Sequence, residues 1–426
     1  MGPVGTPPVH EVVETVFRIE SARIIAAAAR IVCDVGLAEQ VAQDALVAAL
    51  EQWPVRGIPD QPGPWLISTA RHRAVDLVRR EQNYARKLAE VGRTLDEQCA
   101  PEPTDPDAID DDLLRLIFVA CHPVLSTTAR IALTLKLLGG LTTGEIARAT
   151  LSAEAAVAQR IVRAKRVLAA RRVPFEVPTG AERAARLSSV LEVIYLIFNE
   201  GYSATAGDDL LRPALCEESL RLARVLAALL PAEPETHGLL ALLSLQASRS
   251  GARVDAAGAP VLLADQDRGR WNRLLIRLGM ESLLLAGTGP YSLQAAIAAC
   301  HARAARFEDT DWATIAVLYE RLYAVSPSPV VLLNRAVAVA QADGPRAALV
   351  LVDALADDPA LRGYHLLASV RGDLLARLGR DDAARAEFVR AADLTRNRAE
   401  RALLLRRADA VGDADGRGRS GGAGVR

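Results

Sequence analysis

A basic run near the middle of the chain carries the side chains best suited to bind a polyanion. Six basic residues and no acidic one fall between positions 159 and 172. Gln can form two hydrogen bonds with an adenine edge and Arg with a guanine edge, whereas Lys contacts phosphates. The alternative is a solvated, Arg-rich helix that binds no nucleic acid. The candidate base-reading residues are Gln159, Arg160 and Arg163, and the candidate phosphate contacts are Lys165 and Arg166.

These side chains lie in the stretch GGLTTGEIARATLSAEAAVAQRIVRAKR (139–166), whose pattern predicts two short helices joined by a tight turn. Thr142 and Glu145 have the spacing of a capping box at a helix start. Ser152 is a candidate cap for the second helix. We expect the inward stripe of that helix to consist of Ala156, Val157, Ile161, Ala164 and Leu168. The stretch therefore predicts a helix-turn-helix with a basic outer face.

A second basic cluster occupies residues 65–87, directly after the loop PVRGIPDQPGP (54–64), which holds four prolines. A basic helix beside an aromatic residue and a rigid loop suits single-stranded nucleic acid, because phosphates meet Arg and an unstacked base can enter a loop pocket. The alternative is that Trp65 belongs to the core and the arginines form a solvated face. The candidate residues are Trp65, Arg71, His72, Arg73, Arg79 and Arg80.

Composition favours a helical, multidomain protein. The 426 residues correspond to about three domains. Ala and Leu dominate, aromatic residues make up 4%, and runs typical of strands are scarce. The net charge of −1 gives no overall bias toward nucleic acid, so that signal is local. Five scattered cysteines form no CxxC pair, which argues against disulfides and a metal site and favours a reducing cytosol.

Changes of composition along the chain predict where the domains end. Residues 93–112 carry eight acidic residues and three prolines, which is typical of a linker. The last residues are rich in Gly and are predicted to be disordered. We predict a first helical domain at 9–90, an acidic linker at 91–112, a helix-turn-helix domain at 113–175, a larger helical domain at 181–405 and a disordered tail at 406–426.

Three segments in this order resemble bacterial RNA polymerase sigma factors of the extracytoplasmic-function group. AEQVAQDALVAALEQW (38–53) resembles the region 2 helix that docks on the polymerase clamp. PGPWLISTARHRAVDLVRRE (62–81) resembles the segment that melts and reads the −10 element. The stretch from 139 onward resembles the region 4 helix-turn-helix that reads the −35 element. The resemblance implies an all-α fold, with two small sigma domains joined by a flexible linker and followed by a larger repeat-like helical domain.

The resemblance also implies roles for individual residues. Gln43, Asp44 and Leu46 would form the clamp-binding surface, and the loop 57–64 would capture a flipped −10 base. The acidic linker would run through the polymerase cleft. The basic cluster of residues 65–87 would act on the −10 element, and Gln159, Arg160 and Arg163 on the −35 element. Ala156 stands where the family usually has Thr, so these three side chains would carry most of the −35 reading.

The C-terminal half contains a tetratricopeptide-like pattern. GDLLARLGRDDAARAEFVRAADL (372–394) matches it, and NRAVAVAQADGPRAALVLVDAL (334–355) echoes it 36 residues earlier, near the ~34-residue period of such repeats. The alternative is an irregular helical bundle. Two polar stretches at 195–205 and 262–271 could line a ligand pocket or form a buried polar network. Their candidate residues are Asn199, Glu200, Tyr202, Gln266, Asp267, Arg268 and Trp271.

We therefore expect a cytoplasmic sigma factor without catalysis, metal or cofactor, whose partners are core RNA polymerase and promoter DNA. The extension is expected to regulate or assist it, and its concave repeat surface could bind a protein partner. A DNA-binding regulator with a repeat scaffold and no sigma role is the alternative. An enzyme in the C-terminal half is disfavoured because no phosphate loop, HExxH or nucleophile elbow occurs. No signal peptide and no membrane span are predicted.

Overall fold

The computed structural model describes residues 9–89, 108–150, 152–204, 206–207, 210–256 and 258–419. It divides into two compact units, Met1–Leu196 and Ile197–Arg426. The expected all-α architecture is confirmed. Within the described ranges, extended pairing is limited to the two-residue strands Ala206–Gly207 and Arg396–Asn397, which run parallel, and to an isolated bridge between Val254 and Pro260.

The first unit begins with three long helices: α1 (Val9–Val32), α2 (Val35–Arg56) and α3 (Pro62–Ala89). They pack on one another through alanine-rich faces, because small side chains let helices approach closely. Asp34 caps α2 by accepting a hydrogen bond of 2.9 Å from the amide of Leu37. The loop between α2 and α3 is shorter than the proline pattern predicted.

Proline does not exclude helix from all of 54–64, which corrects the prediction. Pro54 lies in the last turns of α2, and Gly57, with φ of 83°, ends that helix. Pro62 and Pro64 lie in the first turn of α3, where backbone amides have no partner within the helix and the fixed φ of proline fits. Only residues 57–61 lie between the two helices.

The first unit also contains four further helices and the first part of an eighth helix. They are α4 (Ala108–Ala120), α5 (Thr127–Leu137), α6 (Thr143–Ala149), α7 (Glu154–Ala170) and α8 (Gly180–Tyr202). Ser189 on α8 donates a 2.6 Å hydrogen bond to the carbonyl of Cys121, and Arg186 donates to the carbonyl of Phe118 at 3.2 Å. The start of α8 is therefore bonded to the helix-turn-helix domain, beyond the boundary at 175 that composition suggested.

The second unit is a succession of helices in which neighbours along the chain pack side by side. Proline occupies the first turn of five of them, a position where it favours helix initiation. After α8 come α9 (Pro213–Leu229), α10 (Pro234–Ala247), α11 (Arg273–Leu285), α12 (Pro290–Arg303), α13 (Trp312–Val325), α14 (Pro329–Ala342), α15 (Pro345–Asp353), α16 (His365–Arg377), α17 (Asp381–Leu394) and α18 (Arg398–Arg419).

Helices α16 and α17 form the helical hairpin that the tetratricopeptide-like pattern predicted. Gly379, with φ of 70°, makes the turn between them. Ala384, Phe388 and Ala391 are fully buried in the shared core. A Cβ at Gly372 would approach the Phe388 ring to 3.0 Å, so glycine allows this close packing without a shift of the ring. Helices α14 and α15 form the preceding hairpin, with Ala348 buried like Ala384.

The C-terminal helix continues past the boundary that the low-complexity sequence suggested. Helix α18 extends to Arg419, although residues from 406 onward were predicted to be disordered. Leu404 and Ala408 are both buried in the core that α16 and α17 share, which holds the helix against its neighbours. Residues 420–426 of the predicted tail lie outside the described residues, as do residues 91–107 of the predicted linker.

Candidate nucleic-acid interface

The helix-turn-helix is built as its sequence predicts. Thr142 and Glu145 form the capping box at the start of α6: the Thr142 amide donates to the Glu145 carboxylate at 2.7 Å, and the Glu145 amide donates to the Thr142 hydroxyl at 3.2 Å. Ile146 on α6 is buried, as are four residues on α7. These four, which hold α7 in place, are Val157, Ile161, Ala164 and Leu168.

Two local predictions in this region are wrong. Ser152 does not cap α7; the cap position is Ala153, whose side chain makes no capping hydrogen bond. Ala156 is exposed and not part of the inward stripe, because it precedes the buried Val157 by one residue, which turns it about 100° around the helix. Ala156 instead contributes to the outer surface of α7.

The outer surface of α7 lines a groove of about 410 Å³ together with the start of α5 and the loop before it. Gln159, Arg160 and Arg163 all line this groove, so the structure brings the predicted base-reading side chains together. Gln159 and Arg163 are exposed, and Arg160 is half-buried. Among the described residues no acidic side chain lines the groove, whereas Arg160 and Arg163 do, so the groove is suited to a polyanion.

Lys165 lies on a different face of α7 from the groove residues. It pairs with Glu39 on α2, which is only 7% exposed, and Lys136 on α5 pairs with the same carboxylate at 3.6 Å. Burial lowers the pKa of both lysine amines. Arg166 is exposed. In this arrangement Lys165 is therefore engaged with α2 and does not face the groove.

A buried carboxylate at the start of the second domain forms another link within this unit. Asp112 on α4 is fully buried, lies 2.6 Å from the Arg115 guanidinium and 3.8 Å from that of Arg30 on α1, and is not part of a flexible linker. Burial raises its pKa above the usual value, against the opposing effect of Arg30, Arg115 and Arg71. Helix α4 packs on α1, and α7 contacts α2. The two small domains therefore touch in this structure.

The predicted −10 residues occupy different environments along α3. Trp65 is half-buried and packs edge-on against Trp53, with ring centres 5.4 Å apart. Arg71 is half-buried, and its charge reaches Asp112. Arg73 is also half-buried. His72, Arg79 and Arg80 are exposed and form the basic outer surface of the helix.

The predicted clamp-binding residues lie on the outer face of α2, where Gln43 and Asp44 are exposed and Leu46 is half-buried. Sequence reasoning missed the apolar part of this face. Val47 is 49% exposed and Leu50 is 43% exposed. The signal was present in their spacing, since positions 43, 47 and 50 follow one helix face opposite the buried alanines.

The residues of the predicted C-terminal pocket separate into two groups. Glu200 pairs with Arg212, Asp267 accepts a hydrogen bond from the Gly269 amide at 2.8 Å, and Gln266 donates to the Val261 carbonyl at 3.3 Å. Asn199 is half-buried, and its side chain is not among those that meet around Tyr202 and Trp271 in the described structure.

Tyr202, Arg268 and Trp271 do come together, around two arginines that sequence reasoning did not single out. Arg249 lies over both aromatic rings, 5.9 Å from the Tyr202 centre and 5.7 Å from the Trp271 centre. Arg253 lies 3.8 Å above the Tyr202 ring. Neither arginine stands near the other members in sequence, so only the fold reveals the cluster.

In the described ranges, no group of three or more His, Cys, Asp or Glu side chains could hold a metal ion. None of the helices in those ranges is both long and apolar enough to cross a membrane.

Comparison with known families assigns three parts of the chain. Residues 16–84 match Sigma-70 region 2, residues 115–168 match Sigma-70 region 4, and residues 186–287 match a family of unknown function, DUF6596. A protein of Rhizobium meliloti (strain 1021), described as uncharacterized, is 47% identical over 383 residues, which cover 88% of this chain and 89% of the relative. No solved structure matches the chain significantly.

Proposed function

Because the chain belongs to the sigma-70 family, as a sigma factor of the extracytoplasmic-function type with a C-terminal extension, we propose that it binds core RNA polymerase and directs it to promoters in the cytoplasm. Sigma factors of this family are non-enzymatic initiation factors that recognise promoter DNA. The observation that carries the proposal is the order of two DNA-binding domains in one chain, each with a basic outer surface.

The −35 element is assigned to the groove of α7. Gln159, Arg160 and Arg163 lie on one face of the second helix of the helix-turn-helix, the helix that reads the major groove in such domains. Arg166 is exposed beside them and is assigned to a phosphate. Specificity rests on few side chains because Ala156 offers only a methyl group, which suits contact with a thymine methyl.

The −10 element is assigned to α3 and to the loop that precedes it. Arg79 and Arg80, with His72 about two turns before them, are exposed on a face that also carries Asp76, and the two arginines are assigned to the backbone of a single strand. Trp65 is half-buried against Trp53, so its role is to support the loop at 57–61, and the loop is assigned to hold an unstacked base.

Core polymerase is assigned to the outer face of α2. This face combines Gln43 and Asp44 with the exposed apolar side chains of Val47 and Leu50. A mixed face of this kind is typical of a protein interface, since apolar area is buried while polar groups fix the register. A single exposed valine or leucine would not indicate an interface. Here Val47 and Leu50 lie beside Gln43 and Asp44 on the same helix.

The two domains must separate when both promoter elements are bound. The −10 and −35 elements lie about 25 base pairs apart, which corresponds to roughly 85 Å of duplex at ~3.4 Å per step. The contact of α2 with α7 and the pairing of Lys165 with Glu39 are incompatible with that separation. We assign this arrangement to the chain before it joins polymerase.

A charge reversal on α2 tests the proposal. Asp44→Arg places a cation in the assigned polymerase surface without disturbing the buried face, so holoenzyme assembly with purified core polymerase should fall at least about tenfold in affinity. Glu176→Arg, at an exposed position with no assigned role, is the matched control and should assemble normally. Normal assembly of Asp44→Arg would contradict the clamp assignment.

The alternative of a regulator without a sigma role predicts a different outcome from the same reagents. A regulator would bind promoter DNA alone and would not replace the housekeeping sigma factor in run-off transcription. The extension is assigned to regulate or assist initiation, because residues 186–287 form a separate family and the hairpins α14–α17 form a repeat-like surface.

A further inference from the structure

Three arginines of the second unit gather around two aromatic rings. We call Arg249, Arg253 and Arg268 the arginine cluster. Arg249 is central: its guanidinium carbon lies over both Tyr202 and Trp271, whereas Arg253 stacks on Tyr202 at 3.8 Å and Arg268 on Trp271 at 4.8 Å from the ring centres. The two rings therefore hold three cations close together.

The arginine cluster has no carboxylate partner in the described part of the chain. Arg249 donates to the Tyr202 hydroxyl at 2.7 Å and to Gln246. Arg253 donates to the Tyr202 carbonyl. Arg268 donates to the carbonyls of His301 and Ala304 and to the Thr310 hydroxyl. All of these acceptors are neutral, and none of the three guanidinium groups forms an ion pair with a carboxylate of the described residues.

Three described carboxylates act on the cluster from longer range. Glu400, which acts electrostatically on Arg253, contacts His365 at 3.3 Å and accepts a hydrogen bond from Thr395 at 2.9 Å. Glu308 and Asp309 act on Arg268, and Asp309 also pairs with Arg306 at 3.0 Å. These carboxylates raise the pKa of the arginines, but none of the described carboxylates contacts a guanidinium group of the cluster.

The energetics of this cluster favour an anion. Burial lowers the pKa of Arg253 and of Arg268, and the charge of Arg249 lowers both further, so the three cations repel one another in a poorly solvated place. A cation–π contact is weak compared with the cost of removing a charge from water. Stacking on two rings therefore does not offset the mutual repulsion and partial desolvation of three guanidinium groups.

Buried polar atoms next to the arginine cluster lack hydrogen-bond partners among the described residues. Trp271 is 4% exposed, yet its Nε1 donor has no hydrogen-bond partner. The buried Nδ1 of His301, a residue on which Arg249 and Arg268 act electrostatically, also lacks a partner among the described residues. Native proteins rarely leave buried polar groups unsatisfied unless a ligand or water completes the site. These atoms indicate an incomplete site beside the cluster.

We propose that Arg249, Arg253, Arg268 and Trp271 form a binding site for a small molecule that carries an oxyanion, either a phosphate or a carboxylate. The planar guanidinium groups match the geometry of both oxyanions and can donate two parallel hydrogen bonds. Trp271 adds a neutral donor. None of these residues is assigned to polymerase or DNA, so a test of this site is independent of the promoter-recognition proposal.

Titration of the full-length chain tests the site directly. Sodium phosphate is titrated into the protein by isothermal calorimetry, in chloride buffer of matched ionic strength, with oxalate as the carboxylate arm. We expect saturable one-site binding of at least one of the two anions, with a dissociation constant in roughly the millimolar range, as suits a fragment of a larger ligand. The anion that binds more tightly identifies the group that the natural ligand carries.

Variants of the central arginine make the test specific. Arg249→Gln should weaken binding at least about tenfold, because it removes a charge-assisted contact. Arg249→Lys keeps the charge and the stem and should weaken binding less. Arg221→Gln, which breaks a surface pair with Glu218, is the matched control and should bind as the wild type does. Absence of saturable binding of both anions, or equal affinity of the wild type and both Arg249 variants, would overturn the proposal.

Discussion

At the scale of single residues, three groove side chains and one half-buried histidine give the most specific predictions. Gln159, Arg160 and Arg163 line one groove, while Lys165 of the same helix pairs with another domain. Helical geometry explains the division, since each residue turns the direction of its side chain by about 100°. A basic run in the sequence is therefore not one functional surface.

Arg160→Ala should weaken recognition of the −35 element by ~1–3 kcal/mol if Arg160 makes a bidentate contact with a base. Affinity of the holoenzyme for promoter duplexes that differ in the −35 sequence is the measurement. Arg171→Ala is the control, because Arg171 is exposed at the end of α7 and does not line the groove. Unchanged affinity and unchanged sequence preference would remove Arg160 from the reading face.

His301 should make the stability of the second unit depend on pH. Burial, with the charges of Arg249 and Arg268, lowers its pKa to about 3. The unfolded chain takes up a proton near pH 6.5 and the folded chain does not, so between those values stability rises with pH and is lost on acidification. The expected slope from this group reaches about 1.4 kcal/mol per pH unit.

Urea unfolding of the wild type and of His301→Gln between pH 7 and pH 5 measures this slope. The variant should lose the part of the pH dependence that His301 contributes. His72→Gln, at an exposed position in the first unit, controls for the loss of a histidine as such. Parallel pH profiles for the wild type and His301→Gln would contradict the assignment.

At the scale of elements, the contact of α2 with α7 joins the assigned polymerase surface to the assigned promoter-reading helix. Glu39 makes this contact by pairing with Lys136 and Lys165 at once. The same α2 carries Asp44 on its outer face. Separation of the domains would free Lys165, which could then reach a phosphate as the sequence predicted.

Glu39→Gln should favour separation of the two domains, because it removes the one carboxylate with which both Lys136 and Lys165 pair. The free chain should then bind a −35 duplex roughly two- to tenfold more tightly, as a shift of ~0.5–1.4 kcal/mol in the opening equilibrium implies. Fluorescence anisotropy of a labelled duplex measures the change. Glu51→Gln, at an exposed position on α2, is the control. Equal affinities of the wild type and of Glu39→Gln would contradict the inference that the pairing of Glu39 with the two lysines holds the domains together.

The sequence predicted the helices better than it predicted their partners. The 3.6-residue period identified Val157, Ile161, Ala164 and Leu168 as buried because burial on one helix is a local property. Glu39 and Lys165 are 126 residues apart, and no local pattern indicates that they meet. The same limit hid Arg249 and Arg253, whose partner Tyr202 lies about 50 residues earlier in the chain.

At the scale of the whole molecule, a sigma factor carries an extension longer than its two promoter-binding domains together. The first unit includes the start of α8, since Arg130 bonds to Glu192 and Ser189 to the Cys121 carbonyl. A truncation that respects these bonds ends after Leu196, whereas one ending after Arg172 removes them.

Removal of residues 197–426 should change the amount of transcript without changing its start sites, if the extension regulates or assists initiation. Run-off transcription with equal amounts of the full chain and of residues 1–196 measures both quantities. A chain of residues 1–172 is the companion variant and should be less stable, because Arg130 loses its partners on α8. Identical transcription by the full chain and residues 1–196 would contradict a regulatory extension.

The most direct measurement of the central claim is transcription by purified core RNA polymerase on genomic DNA with this chain as the sole sigma factor. Mapping of the transcript ends should give discrete start sites that share sequence elements near −10 and −35 and that disappear with Asp44→Arg. Transcription no greater than that of core polymerase alone would contradict the assignment of this chain as a sigma factor.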